Sequence, residues 1–146
     1  MKRFDKKRLF WGIVILILFS GVVALITMNL PKQELSDQFD EALIVEKSQR
    51  AIEYFNEKDY QSIIDMGDEE MKASITAEDF AEQCDEPMEK CGAFVQYKKA
   101  ETVGATDEET GEEYGGVIVV AEYENTKVQF SIGFNTDMEL IQFRIQ

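Results

Sequence analysis

The chain has 146 residues, with 15 basic against 29 acidic side chains, a formal charge of −14, no histidine and two cysteines. That acidity excludes nucleic-acid binding, which depends on basic side chains displacing counterions from phosphates, and the lack of histidine removes the common catalytic triads and the commonest metal ligand. The charge is also divided: residues 1–8 hold five basic residues and one acid, residues 9–30 hold no charge, and residues 31–146 hold ten basic and 28 acidic residues, a net −18.

Residues 9–30 form a 22-residue run in which 17 are apolar. As a helix it covers roughly 33 Å against a hydrocarbon core of about 30 Å, so it is predicted to span a bilayer as an uncleaved signal anchor. A cleaved signal peptide is the competing reading, but its apolar region is shorter, about 7–15 residues, and no A-x-A site follows. Because basic residues stay on the cytoplasmic side, residues 1–8 are expected inside the cell and the acidic domain outside. Phe10 and Trp11 occupy an interfacial anchor position, and Ser20 with Ala24 makes a small-xxx-small pair suited to helix dimerisation. Pro31 ends the span, and the linker at 31–36 reaches at most about 20 Å, which keeps the domain beside the membrane.

Residues 37–146 read as one α+β domain. Ser36 or Asp37 is expected to cap a first helix running to about Asn56, with Phe39, Leu43, Ala51, Ile52 and Phe55 mostly at three-and-four spacing. Asp59 can cap a short second helix that buries Tyr60, Ile63 and Ile64 and ends near Gly67. Thr76 with Asp79 resembles a capping box for a third, with Phe80 and Cys84 on its apolar side. The period then changes to two. A strand is predicted over 93–105, an acidic turn over 106–113, and a strand over 117–123 that is apolar on most of both faces and should be central. Val128, Phe130, Ile132 and Phe134 alternate with polar or small residues, as do Ile141, Phe143 and Ile145. The fold predicted is two to three helices packed on one side of a four-stranded antiparallel sheet.

Cys84 and Cys91 form an even pair in a chain read as exported, which invites a disulfide. On a continuous helix they stand about 10 Å apart by the helical rise, beyond the roughly 7 Å that a disulfide tolerates. The bridge is expected if Pro87 breaks the helix; two buried thiols are the alternative. Two cysteines without histidine do not make a zinc site. The acidic runs at 68–70 and 107–113 lack the order of oxygen ligands of an EF-hand and read as solvated surface. No metal or cofactor is therefore expected. Tyr54, Phe55, Phe94, Tyr97, Tyr123, Phe130 and Phe134 are candidates to line a cavity between helices and sheet, where a small ligand would bind. A carboxylate desolvated there, such as Asp65 or Glu122, would supply an acid or base for an enzyme alternative. No catalytic motif selects one.

Gly92-Ala93-Phe94 opening the sheet, the strand ending Ala121-Glu122-Tyr123-Glu124-Asn125, and Val128-Gln129-Phe130-Ser131-Ile132-Gly133-Phe134-Asn135-Thr136-Asp137 before Leu140-Ile141 resemble domain-of-unknown-function family 3887. The resemblance implies the cystatin-like cone of the nuclear transport factor 2-like superfamily and an exported or membrane-anchored setting, mainly in Gram-positive bacteria. It implies no catalytic residues. The functional expectation is a membrane-anchored extracytoplasmic binding or accessory module, taking a small ligand in the cavity or an envelope protein on the sheet face. A cavity enzyme and a structural component of an envelope complex are the alternatives.

Overall fold

A computed structural model of the chain describes residues 34–146 and, before them, only the backbone of Ile15–Leu18. The span expected at residues 9–30 lies outside the described residues except for those four, which are extended and form strand β1 at the sheet edge. An open edge offers main-chain groups ladder bonds that compete with helix formation. No helix among the described residues is long and apolar enough to cross a membrane.

Four helices come next: α1 (Glu41–Asn56), α2 (Tyr60–Asp65), α3 (Glu69–Ser74) and α4 (Ala77–Cys91). Each starts on a side chain that accepts from otherwise unpaired N–H groups. The α1 cap is Asp40, which accepts from Ala42 and Leu43, in place of the expected Ser36 or Asp37. Ser36 instead accepts from the Phe39 N–H through its carbonyl, a turn that leaves Phe39 in the core. Asp59 caps α2, and Thr76 and Asp79 complete the capping box of α4 as read from the sequence. The expected count of two to three helices is corrected to four by α3, capped by Asp68 in an acidic run that reads as plain surface.

The second correction concerns Pro87, which sits inside α4 without ending it. A proline in a helix interior removes one N–H and costs about 3 kcal/mol in isolation, but here the end of the helix is held from outside. Asn125, in the β3–β4 turn, donates its main-chain N–H to the Cys91 carbonyl and its side-chain amide to the Lys90 carbonyl. Gly92, at φ 84°, then turns the chain into the sheet.

Strands β2 (Phe94–Thr106), β3 (Glu113–Tyr123), β4 (Lys127–Phe134) and β5 (Leu140–Ile145) follow, and the sheet order is β1-β5-β4-β3-β2 with every pair antiparallel. Strand β3 is flanked by β2 and β4, as its two apolar faces require. Alternate residues, among them Val117, Val119, Ala121, Phe130, Ile132, Phe143 and Ile145, point to one face and join Ile44, Ala51, Ile52, Phe55, Ile63 and Phe80 of the helices in one core. The start of β5 is pinned to the helical layer: Leu140 donates to the Met66 carbonyl and accepts from the Asp68 N–H.

Gly104 of β2 lies where the incoming chain crosses the sheet. A Cβ there would stand 2.5 Å from the Glu34 carbonyl oxygen. Gly104→Ala therefore forces the 34–35 segment off β2 and is expected to lower stability by about 1–3 kcal/mol, the usual cost of overpacking, read as a lower urea midpoint at unchanged slope.

Candidate functional site

A cavity of about 300 Å³ opens where the ends of α1, α4, β2 and β3 meet. Its buried floor is Phe55 from the last turn of α1, Tyr60 at the start of α2 and Tyr123 at the end of β3. Met88 of α4 and Phe94 of β2 are half-buried walls, and Asn56, Lys58, Glu89 and Ala93 form an exposed rim. Lys58 holds φ 61°, an uncommon backbone state for a non-glycine residue, in the tight connection between α1 and α2.

Two phenols of the floor are fixed by hydrogen bonds. Tyr60 donates to the Asp85 carboxylate and Tyr123 to the Asn56 side-chain oxygen. Burial first, then the bond to Asp85 and its charge, push the Tyr60 phenol far above its ordinary range. Tyr123 is raised mainly by burial, with Tyr97 and Cys91 adding to it. Both stay protonated at neutral pH, with their hydrogens already committed. The rings also order one another: Phe94 lies 4.9 Å from Tyr97 and 5.6 Å from Tyr123, the second pair edge to face.

Electrostatics favour one charge sign in this cavity. The C-terminal ends of α1 and α4, where helix dipoles are negative, both open onto it; the positive start of the six-residue α2 also opens there at Tyr60 but is capped by the Asp59 carboxylate, and residues 31–146 are strongly acidic. At the rim Lys58 and Glu89 offset one another, so the surrounding field is negative. Lining by four aromatic rings under a negative field suits an apolar or cationic ligand, since ring faces attract cations.

Of the seven aromatics expected to line a cavity, Phe55, Phe94 and Tyr123 do so. Phe130 and Phe134 are fully buried core residues on the inner face of β4. Tyr54 and Tyr97 are half-buried and pack against the core outside the lining, Tyr97 donating weakly to the Gln49 carbonyl at 3.4 Å. Tyr60 and Met88 are the floor and wall residues that pattern reading missed. A tyrosine on a short helix and a methionine just past a proline carry no signal of their own; both enter because helix ends converge there. The carboxylates singled out for an enzyme lie elsewhere. Asp65 is exposed and accepts from Gln61, and Glu122 accepts from Gln96 with Lys98 at 4.0 Å. Among the described residues no group of three or more acidic or cysteine side chains is placed to hold a metal ion.

The disulfide expectation is corrected. Cys84 and Cys91 are both free and buried, because α4 is continuous and holds them two turns apart. The Cys91 thiol donates to the Pro87 carbonyl at 3.4 Å. Burial, then the charge of Asp85, push the Cys84 thiol from 9.0 to about 12, and burial raises Cys91 as well.

With this geometry in view, comparison with known proteins gives two matches. Residues 48–143 fit the model of the family described as Protein of unknown function (DUF3887). The chain belongs to the DUF3887 family. An NMR structure of a protein from Ruminococcus gnavus ATCC 29149 is similar at 28% identity and a TM-score of 0.66, covering 77% of this chain and 96% of that one. No curated protein matches. The DUF3887 match includes every lining residue of the cavity, from Phe55 to Tyr123, so the pocket is built within the family's own segment.

The thiols give a direct check. In the folded chain neither Cys84 nor Cys91 should react with a disulfide reagent at pH 8, and both should react once the chain is unfolded. Because the folded pKa values are raised, the stability these thiols contribute is whole below the unfolded value near 9 and is lost as pH climbs toward 12. The urea midpoint should therefore fall across that alkaline window, and a Cys84→Ala, Cys91→Ala chain should fall less.

Proposed function

We propose that this DUF3887 protein is a membrane-anchored extracytoplasmic binding module whose ligand is a small neutral or cationic amphiphile held in the helix-sheet pocket. The observation that carries the reading is the pocket itself: an opening of about 300 Å³ at the lower end of the range for small-ligand sites, floored by Phe55, Tyr60 and Tyr123. The only carboxylate in its lining is Glu89, exposed at the rim. Both floor phenols have their protons held by Asp85 and Asn56, an arrangement suited to fixing a surface more than to moving protons.

The anchor belongs to this reading and rests on the sequence. Fourteen of the residues at 9–30 are Leu, Ile, Val or Phe, each favouring insertion by about 0.3–0.6 kcal/mol at the centre of a helix. Pairing with β5 engages only four residues of that run. A bilayer helix satisfies every main-chain group and buries the whole run, so in the presence of a membrane it is the better resting place. The domain then stands close to the headgroups, where a soluble amphiphile or the head of a lipid would be met.

Calorimetry with a pair of oppositely charged benzene derivatives tests the ligand class. Benzyltrimethylammonium should bind at least about tenfold more tightly than benzenesulfonate, a difference of ~1.4 kcal/mol or more. The preference should shrink as salt is raised. Ala93→Leu, an exposed rim position, should abolish binding while leaving the melting temperature unchanged. Equal affinities for the two ions, or undiminished binding by Ala93→Leu, would refute the reading.

A further inference from the structure

The two edges of the sheet formed by residues 34–146 are built differently. Strand β2 has register irregularities between Phe94 and Gln96 and between Tyr97 and Lys99, and it exposes Lys98 and Lys99. Bulges and lysines are devices that keep an edge from pairing with another chain. Strand β5 carries no lysine and no proline, and its register against β4 is regular from Gln142 to Ile145. Gln129 and Gln146 exchange both main-chain bonds. By the alternation of an antiparallel ladder, Arg144 also directs its main-chain groups to β4, while those of Phe143 and Ile145 point outward. These outward groups lie where β1 pairs, with Ile17 opposite Phe143 and Ile15 opposite Ile145. The edge is open to a strand and accommodates one over four residues.

An independent feature sits at the same edge. With β1 paired on this edge and Leu18 opposite it, Gln142, on the face away from the helices, is fully buried; its amide nitrogen donates to the Ser131 carbonyl at 3.4 Å, and its Oε1 has no partner. Leaving such an oxygen unpaired costs about 1–3 kcal/mol. Leucine carries no side-chain donor, so β1 leaves this oxygen unpaired, and a different strand with a donor side chain at that register would remove the cost.

We propose that the outer edge of β5 is a strand-accepting site for an extended, neutral-to-cationic segment of a partner protein, antiparallel to β5 and presenting a hydrogen-bond donor to Gln142. Main-chain bonds to Phe143 and Ile145 supply the affinity, as in other cases of strand addition. Charge sets the partner class, because 28 acidic residues against ten basic in 31–146 repel a second copy or an acidic peptide. The proposal rests on the anchored reading, since insertion of residues 9–30 into a bilayer is what withdraws Ile15–Leu18 from the edge.

Amide hydrogen exchange on the full chain in nanodiscs tests it, with a short synthetic peptide of alternating Val and Thr flanked by lysines as the probe. Phe143 and Ile145 should exchange fast alone and about tenfold more slowly at saturating peptide, with Arg144 slow throughout. The same peptide flanked by glutamates should give no slowing. Slowing confined to an Ile17→Pro chain would uphold the strand site and reject the anchored reading, because β1 would then be holding the edge within the membrane-bound chain. Unchanged exchange at Phe143 and Ile145 in both chains would overturn the proposal.

Discussion

One aromatic cluster holds the helical layer to the sheet. Tyr60 and Phe80 stack in parallel at 5.0 Å, joining α2 to α4, and Phe80 meets Phe143 of β5 edge to face at 5.9 Å. Phe55 of α1 touches Tyr60, Phe130 and Phe143 with centroid distances of 6.0, 5.6 and 5.5 Å. Three helices and two strands therefore share one set of ring contacts, each worth about 0.5–1.5 kcal/mol beyond the area it buries. Two of these rings, Phe55 and Tyr60, also floor the pocket. The site is the open end of the core, so any change that loosens the cluster alters the pocket.

This shared use explains why the walls of the pocket are ordered. Tyr60 is fixed on one side by Phe80 and on the other by Asp85, and Tyr123 by Phe94 and Asn56. A ring held at its face and at its hydroxyl has little freedom to swing into the opening, which preorganises the wall for a ligand. The hairpin turn at Asn125 extends the same logic outward. It caps α4 past Pro87, and Glu124 accepts from the Ala93 N–H beside the rim. The turn that joins β3 to β4 thus fixes the mouth of the cavity as well as the end of the helix.

Much of the fold is legible in the residues. The alternation through Val128, Phe130, Ile132 and Phe134 marks β4, the two apolar faces of 117–123 mark the central strand, and Asp59 and the Thr76/Asp79 pair mark helix starts, because these signals are local. What local signals miss is settled by contacts distant in sequence. Pro87 reads as a helix break, and the Asn125 cap that overrides it lies 38 positions on. Asp68 reads as one acid in a charged run, and only the docking of Met71 into the core makes α3 worth forming. The site was legible to a lesser degree. Pocket walls and core need the same apolar side chains, so Phe94 and Phe130 look alike until the packing of element ends exposes one and encloses the other.

In the proposed function, a small cationic or neutral ligand binds at the open end of the aromatic cluster. Intermolecular NOEs between the trimethyl protons of benzyltrimethylammonium and the protein test it most directly. Contacts are expected to the rings of Phe94 and Tyr123 and to the Met88 methyl, with none to the Met71 methyl buried in the core. Contacts confined to other surfaces, or none at concentrations that saturate the calorimetric signal, would contradict it.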